Sequence, residues 1–222
     1  MSVRMSIVRV TAIGVTISHV TEAQPFNEDD LADNPFAQFA AWFEEAGKVV
    51  DAPEVMTIAT ATADGRPSAR MLLLKDHGPD GFVFFSSYES RKGRELAENP
   101  NAALTLYWAE LERQVSVAGT VAKTSRAESE KYFAQRPRGS RLGACVSRQS
   151  AVVPNETFLE ERLAELEREF AGRSVPTPAH WGGYRLTPTR IEFWQGRPNR
   201  LHDRFLYSRQ ADGSWRIERL SP

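Results

Sequence analysis

The sequence predicts a mainly β protein, an antiparallel barrel into which helices are inserted. Three observations lead there. Short segments with a two-residue apolar period recur along the chain between turn clusters such as Ala63-Asp64-Gly65-Arg66-Pro67 and Gln210-Ala211-Asp212-Gly213. Helical periods occur only at intervals and do not alternate one for one with strands, as a parallel sheet requires. A length of 222 residues, 41% hydrophobic and 26% charged, is enough to bury one sizeable core and excludes a wholly disordered chain.

Residues 1–33 are expected to form a flexible arm. Arg4 and Arg9 beside a β-branched run imitate a secretion signal, but Thr11, Gly14, Thr16, Ser18 and His19 break the run and no Ala-x-Ala follows. Residues 34–222 read as a single domain. Asn34-Pro35 is an N-cap followed by proline at the first helical position, and Phe36, Phe39, Phe43 and Ala46 then share a face up to Gly47. Strands are predicted over Val55–Thr62, Ser68–Lys75, Phe82–Ser87, Ala103–Trp108 and Arg113–Lys123, with a turn at His77–Gly81 and a short helix from Ser90 to Glu98. Ser125-Arg126-Ala127-Glu128 is a capping box that opens a helix carrying Tyr132 and Phe133, ended by Pro137 and Gly139. A longer helix from Asn155 places Phe158, Leu159, Leu163, Leu166 and Phe170 on one stripe. Tyr184–Leu186, Ile191–Trp194 and the hairpin Arg204–Arg209 with Trp215–Leu220 bring the expected number of strands to about nine.

Charge and cysteine content narrow the function. Lys plus Arg (28) nearly balances Asp plus Glu (29), so the large positive field of a nucleic-acid coat is missing. Cys145 is the single cysteine, which excludes an intrachain disulfide and a cysteine metal cluster and fits a reducing, cytoplasmic setting. No His-x-x-x-His pair, dinucleotide glycine loop, Walker loop or nucleophile elbow is present, and no apolar run is long enough to span a membrane. No metal site is expected.

Four clusters carry possible chemistry. Arg70 and Lys75 bracket the apolar Met71-Leu72-Leu73-Leu74, and their odd spacing sends them to opposite strand faces unless a bulge intervenes. Ser86 to Gly93 runs from a strand end into a helix N-terminus, where free N–H groups, Arg91 and Lys92 favour an anion. Between Gln135 and Ser150 there are four arginines and no acid, with Tyr132, Ser140 and Gln149 close by, a set whose forks and hydroxyls match phosphate oxygens. Trp194 to Phe205 holds His202 among Arg197, Arg200 and Arg204 and beside Asp203. Each alone also has a plain structural reading: charged strand ends meeting solvent, an ordinary N-cap, a solvated basic loop and a buried core tryptophan. Together with Arg113-Gln114 they are compatible with two phosphate sites and a planar ring site.

The ordered stretches RMLLLK, SRKG, LERQV, YFAQRPRGS, SRQS, WGGYR and IEFWQG…RLHDRFLY, ending in RLSP, resemble the pyridoxine (pyridoxamine) 5′-phosphate oxidase family from about Asn34 to Pro222. The resemblance implies a homodimeric split β-barrel with FMN at the subunit interface. It implies a flavin site built from Arg70, Met71, Leu72, Leu73, Leu74, Lys75, Phe85, Ser86, Arg91, Lys92, Gln114, Gln149, Ser150, Trp194 and Arg204. It further implies that Lys75, Tyr132, Arg136 and Ser140 hold a substrate phosphate, that Arg200, Leu201 and His202 lie by the substrate ring, and that Arg200 and His202 are catalytic. The implied reaction oxidises pyridoxamine 5′-phosphate or pyridoxine 5′-phosphate to pyridoxal 5′-phosphate, with dioxygen reduced to hydrogen peroxide. A related flavin oxidase with another substrate, such as a phenazine-pathway enzyme, and a non-catalytic flavin or pyridoxal-phosphate carrier are the alternatives. Two departures from the family stand out: residues 22–33 are acidic where a basic, tyrosine-containing lid is usual, and Cys145 stands where tryptophan is common.

Overall fold

Backbone hydrogen bonds of the period-two segments are met by antiparallel neighbours, and this produces the sheet that dominates the molecule. The computed structural model describes residues 7–11, 14–18 and 25–222, the first two segments by backbone alone. There β1 (Ile7–Thr11) and β2 (Gly14–Ser18) form an antiparallel hairpin. The remaining nine strands are β3 (Val55–Ala61), β4 (Pro67–Leu73), β5 (Asp76–Gly78), β6 (Gly81–Ser87), β7 (Asn101–Trp108), β8 (Arg113–Lys123), β9 (Trp181–Gln195), β10 (Asp203–Arg209) and β11 (Trp215–Arg219). They make one sheet in the order β11-β10-β9-β8-β7-β3-β4, with β6 paired to β9 and β5 to β6. Five α-helices are inserted: α1 (Pro35–Ala46), α2 (Arg91–Glu98), α3 (Arg126–Gln135), α4 (Arg138–Val146) and α5 (Glu156–Glu169). The mainly β, antiparallel class expected from the sequence is the one observed.

The chain divides into two compact units. One comprises the described residues up to 53 with 106–116 and 191–222; the other comprises 54–105 and 117–190. In the first, Asn34 Oδ1 accepts from Phe36 N–H and starts α1, which buries Phe39, Trp42 and Ala46. Phe43, on the expected face, is half-buried against Phe39 and Trp108, and Trp42 widens that face. Phe26 packs on Trp42 and edge-on to Phe205, and its N–H donates to buried Asp203.

The second unit holds the hairpin β3–β4, with Ile58 opposite Arg70, and the β6–β9 pair, with Ser86 opposite Gly182. Its helical layer packs Phe133, Leu142, Leu166, Val175 and Trp181 together. Three local expectations are corrected. The turn at His77–Gly81 contains the short strand β5, because Asp76–Gly78 finds a partner in Gly81–Val83. The segments Tyr184–Leu186 and Ile191–Trp194 are parts of one strand, β9, which continues through Pro188. Residues 138–146, for which the sequence predicts no element after the expected break at Pro137 and Gly139, are helical: Pro137 follows α3, and its fixed φ and missing N–H suit the cap of α4.

Candidate active site

Within the second unit a cavity of about 650 Å³ opens among β4, β6, α3 and α4. Met71, Leu72, Leu73, Lys75, Phe85, Ser86, Tyr132, Arg136, Ser140 and Gln149, all singled out by sequence, line it. Separate stretches of sequence therefore converge on one place. Lys75 reaches it from just beyond β4, where its N–H donates to Val83 O (2.8 Å). Arg70 does not line the cavity; Leu74 is core, with its N–H on Glu54 O (2.8 Å). The strand ends at Leu73, so the parity argument holds for Arg70 but does not reach Lys75.

One wall is aromatic. Phe85 stacks on Tyr132 with ring centroids 4.0 Å apart and on Trp181 at 5.4 Å, and the Arg136 guanidinium lies 4.8 Å from the Trp181 ring. This stacking fixes Arg136 from one side. Its Nη1 is buried and has no hydrogen-bond partner among the described residues. A buried guanidinium nitrogen left so is costly unless an acceptor is supplied, and an anion in the cavity supplies one. Burial raises the Tyr132 hydroxyl pKa, with Arg136 opposing, so the phenol stays protonated at neutral pH and can donate. Sequence reasoning did not assign Trp181 a role. The WGGYR stretch marked the position, but nothing local shows that its indole faces Arg136.

Behind Ser86 lies a second cationic cluster. Ser90 Oγ caps α2 by accepting from Gly93 N–H. Lys92 is buried, and its Nζ donates to Gln149 Oε1 (2.7 Å), Ser86 Oγ (3.1 Å) and Ser90 Oγ (3.3 Å). Burial first, then the Arg70 charge, bring the Lys92 pKa down to about 8, while Glu95 acts the other way. Arg91 N–H donates to Ser150 Oγ (3.2 Å), and Arg91 Nε donates to Glu95 Oε1 (2.9 Å). Arg70 bonds Thr60 Oγ1 (2.6 Å) and Ser68 Oγ, with Glu95 Oε2 at 3.4 Å. Three cations beside serine hydroxyls and a helix N-terminus form a donor set suited to a phosphate monoester. Glu95 was the residue sequence reasoning missed here.

The other expected residues belong to the first unit. Gln114 Nε2 donates to Ser116 Oγ (3.3 Å). Arg204 donates to Glu192 Oε1 (2.8 Å) and Ser221 O (2.7 Å). Trp194 and His202 have ring centroids 4.5 Å apart. Arg197 N–H donates to His202 Nδ1 (3.1 Å), which assigns the neutral ring's proton to Nε2. Asn199 and Arg200 both have positive φ (60° and 63°), a strained conformation for non-glycine residues and one often kept at functional loops. Leu201 is exposed. Leu201 and His202 line a pocket of about 400 Å³ with Asp203, Arg219 and Leu220.

Comparison with known proteins adds an independent line of support. Residues 43–168 match the family model described as pyridoxamine 5′-phosphate oxidase, and 181–222 match the pyridoxine 5′-phosphate oxidase C-terminal dimerisation region. A pyridoxine/pyridoxamine 5′-phosphate oxidase of a Nostoc species is 55% identical over 197 residues, covering 88% of this chain and 92% of that protein. One from Burkholderia mallei is 57% identical over 196 residues, covering 87% and 91%. Among solved structures, PhzG of Burkholderia lata, crystallised with tetrahydrophenazine-1-carboxylic acid, has a TM-score of 0.85 at 32% identity and covers 90% of this chain and 99% of that one. An FMN-binding, pyridoxamine 5′-phosphate oxidase-related protein of Nostoc punctiforme has a TM-score of 0.68 at 16% identity, covers 85% and 98%, and supports the split-barrel fold alone.

Proposed function

The chain belongs to the pyridoxamine 5′-phosphate oxidase family, and we propose that it converts pyridoxamine 5′-phosphate and pyridoxine 5′-phosphate to pyridoxal 5′-phosphate. The observation that carries this reading is the buried, unpartnered Nη1 of Arg136 in a cavity shared with Lys75, Tyr132 and Ser140. Those four side chains would bind the substrate phosphate: two cations supply charge, and two hydroxyls supply direction. Binding energy collected there, away from the reacting carbon, fixes the ring in place.

FMN, when bound, would supply a two-electron acceptor that dioxygen can reoxidise with formation of hydrogen peroxide. Arg70, Arg91, Lys92 and Ser86 would hold its phosphate, and Gln149 and Ser150 would steady that cluster from the turn after α4. Met71, Leu72, Leu73 and Phe85 would wall the ring, with Leu74 behind them in the core. Gln114, Trp194 and Arg204 are proposed as further flavin contacts on the strength of the family resemblance. The alcohol substrate loses two electrons and two protons directly, whereas the amine also needs one water to release ammonia. His202, with its Nε2 proton, would donate a hydrogen bond to the substrate, and Arg200 would supply positive charge beside the pyridine.

The protein is read as a homodimer with the flavin at the subunit interface. The match of residues 181–222 to a dimerisation region supports this. So do Met71 and Leu73, large apolar side chains 61% and 43% exposed at the cavity that a second copy would cover. The likeness to PhzG favours one second reading, oxidation of a phenazine precursor at the same flavin. Arg136→Ala separates the two. Loss of one charge-assisted hydrogen bond costs about 1.5–3 kcal/mol, so KM for pyridoxamine 5′-phosphate should rise roughly tenfold to a hundredfold. An unchanged KM would mean that the substrate phosphate is not held by Arg136.

A further inference from the structure

Glu95 is a buried carboxylate, 4% exposed, placed under the cations assigned to the flavin phosphate. It lies on α2 and accepts from Thr60 Oγ1 (2.5 Å) on β3, Ser68 Oγ (2.6 Å) on β4 and Arg91 Nε (2.9 Å) one helical turn away. Its ties to the three cations are unequal. Arg70 is anchored chiefly by Thr60 Oγ1 and Ser68 Oγ, with the Ile58 carbonyl and Glu95 Oε2 both further off, at 3.4 Å. Lys92 donates to Ser86, Ser90 and Gln149, yet its proton affinity is raised by the Glu95 charge and lowered by that of Arg70. On Lys92, then, Glu95 acts through its field alone, and on Arg70 through a long ion pair. Such a carboxylate is expensive to bury, and four donors around it keep it ionised, with a pKa lowered to about 2 despite burial.

The geometry points to Glu95 as the counter-ion of the flavin-phosphate cluster, a positioning residue in the electrostatic sense that sets how strongly the site prefers a phosphorylated flavin. Arg70, Arg91 and Lys92 with Glu95 carry a net charge of +2, opposite to that of a phosphate dianion. Without the carboxylate, and at a pH low enough for Lys92 to stay charged, the same donors would carry one more positive charge and bind the dianion more tightly. A carboxylate that served only to orient Arg91 would have the reverse effect on its removal. One that served only to tie α2 to β3 and β4 would affect all flavins alike.

This inference rests on the reading that the cluster takes the FMN phosphate, and the test separates the two. The full-length protein is freed of flavin, then titrated with FMN and with riboflavin while flavin fluorescence is followed. Wild type should bind FMN far more tightly than riboflavin; equal affinities would refute the site reading itself. In Glu95→Gln the ratio of FMN to riboflavin affinity should rise about fivefold or more, the effect of one unit charge at a partly solvated site. Riboflavin affinity should stay within about twofold. Glu95→Asp, which keeps the charge, should hold the wild-type ratio. Should Glu95→Gln fail to fold, Glu95→Met has similar length and no charge and carries the same expectation. A ratio that falls would assign Glu95 to orienting Arg91; a ratio that does not change would leave it a strut. Either result overturns the proposal.

Discussion

Lys92 shows how a single side chain makes the proposed flavin site sensitive to pH. A lysine whose pKa is about 8 when folded and 10.5 when unfolded is costly to keep charged in the folded protein. That cost is fully present below pH 8 and fades as pH rises towards the unfolded value. Phosphate binding favours the charged form, so ligand affinity moves the opposite way. FMN affinity should be level up to about pH 8 and then weaken, by at most about tenfold per pH unit for one proton. Flavin fluorescence titrations between pH 7 and 9.5 would measure this, and Lys92→Met should remove the dependence. A wild-type affinity that stays level to pH 9.5 would contradict the burial argument. At this scale the cations were legible in the sequence because arginine and lysine beside serine and glycine stand out in a run such as Ser86 to Gly93. Glu95 and Trp181 were not. A lone acid on a short helix reads as solvated, and an aromatic after a loop reads as core. What distinguishes them is a contact across the fold: Glu95 with Ser68 from 27 positions away, and Trp181 with Arg136.

Elements were legible where a local rule decides them. The caps at Asn34, Ser90, Ser125 and Asn155 each accept the backbone N–H that starts a helix, as their residue types require. Elements were misread where pairing decides. β5 exists because β6 offers it partners, and β9 continues through Pro188 because its neighbours hold the rest of its ladder. On α5 the stripe is real, but Leu166 alone is buried, while Phe158 and Leu159 stay exposed. Gly119 on β8 illustrates a constraint that sequence hides. A Cβ there would stand 2.1 Å from Thr187 O and 2.8 Å from Pro188 Cα, both backbone atoms of β9. Backbone cannot swing aside as a side chain can, so Gly119→Ala should destabilise the protein by about 1–3 kcal/mol. Thermal unfolding would register this, and a melting temperature equal to wild type would show that β9 is free to move.

Across the chain, the residues of the proposed site fall in two compact units: those proposed to bind phosphate in one, and Trp194, Arg200 and His202 in the other. The order of these pieces along the chain made the family visible in the sequence, whereas their assembly was not. Nothing local reports that Met71 and Leu73 stay exposed beside a cavity, which is a property of the folded surface. Among the described residues, no helix is long and apolar enough to cross a membrane. The proposed activity requires that a bound flavin accept a hydride from a phosphorylated vitamin held against it. The direct measurement is anaerobic: the flavin-loaded protein is mixed with pyridoxamine 5′-phosphate in the absence of dioxygen, and the yellow absorbance is followed. Bleaching, reversed when air is admitted and accompanied by pyridoxal 5′-phosphate, is the predicted result. A flavin that stays yellow with substrate bound would contradict the account and leave the protein a carrier.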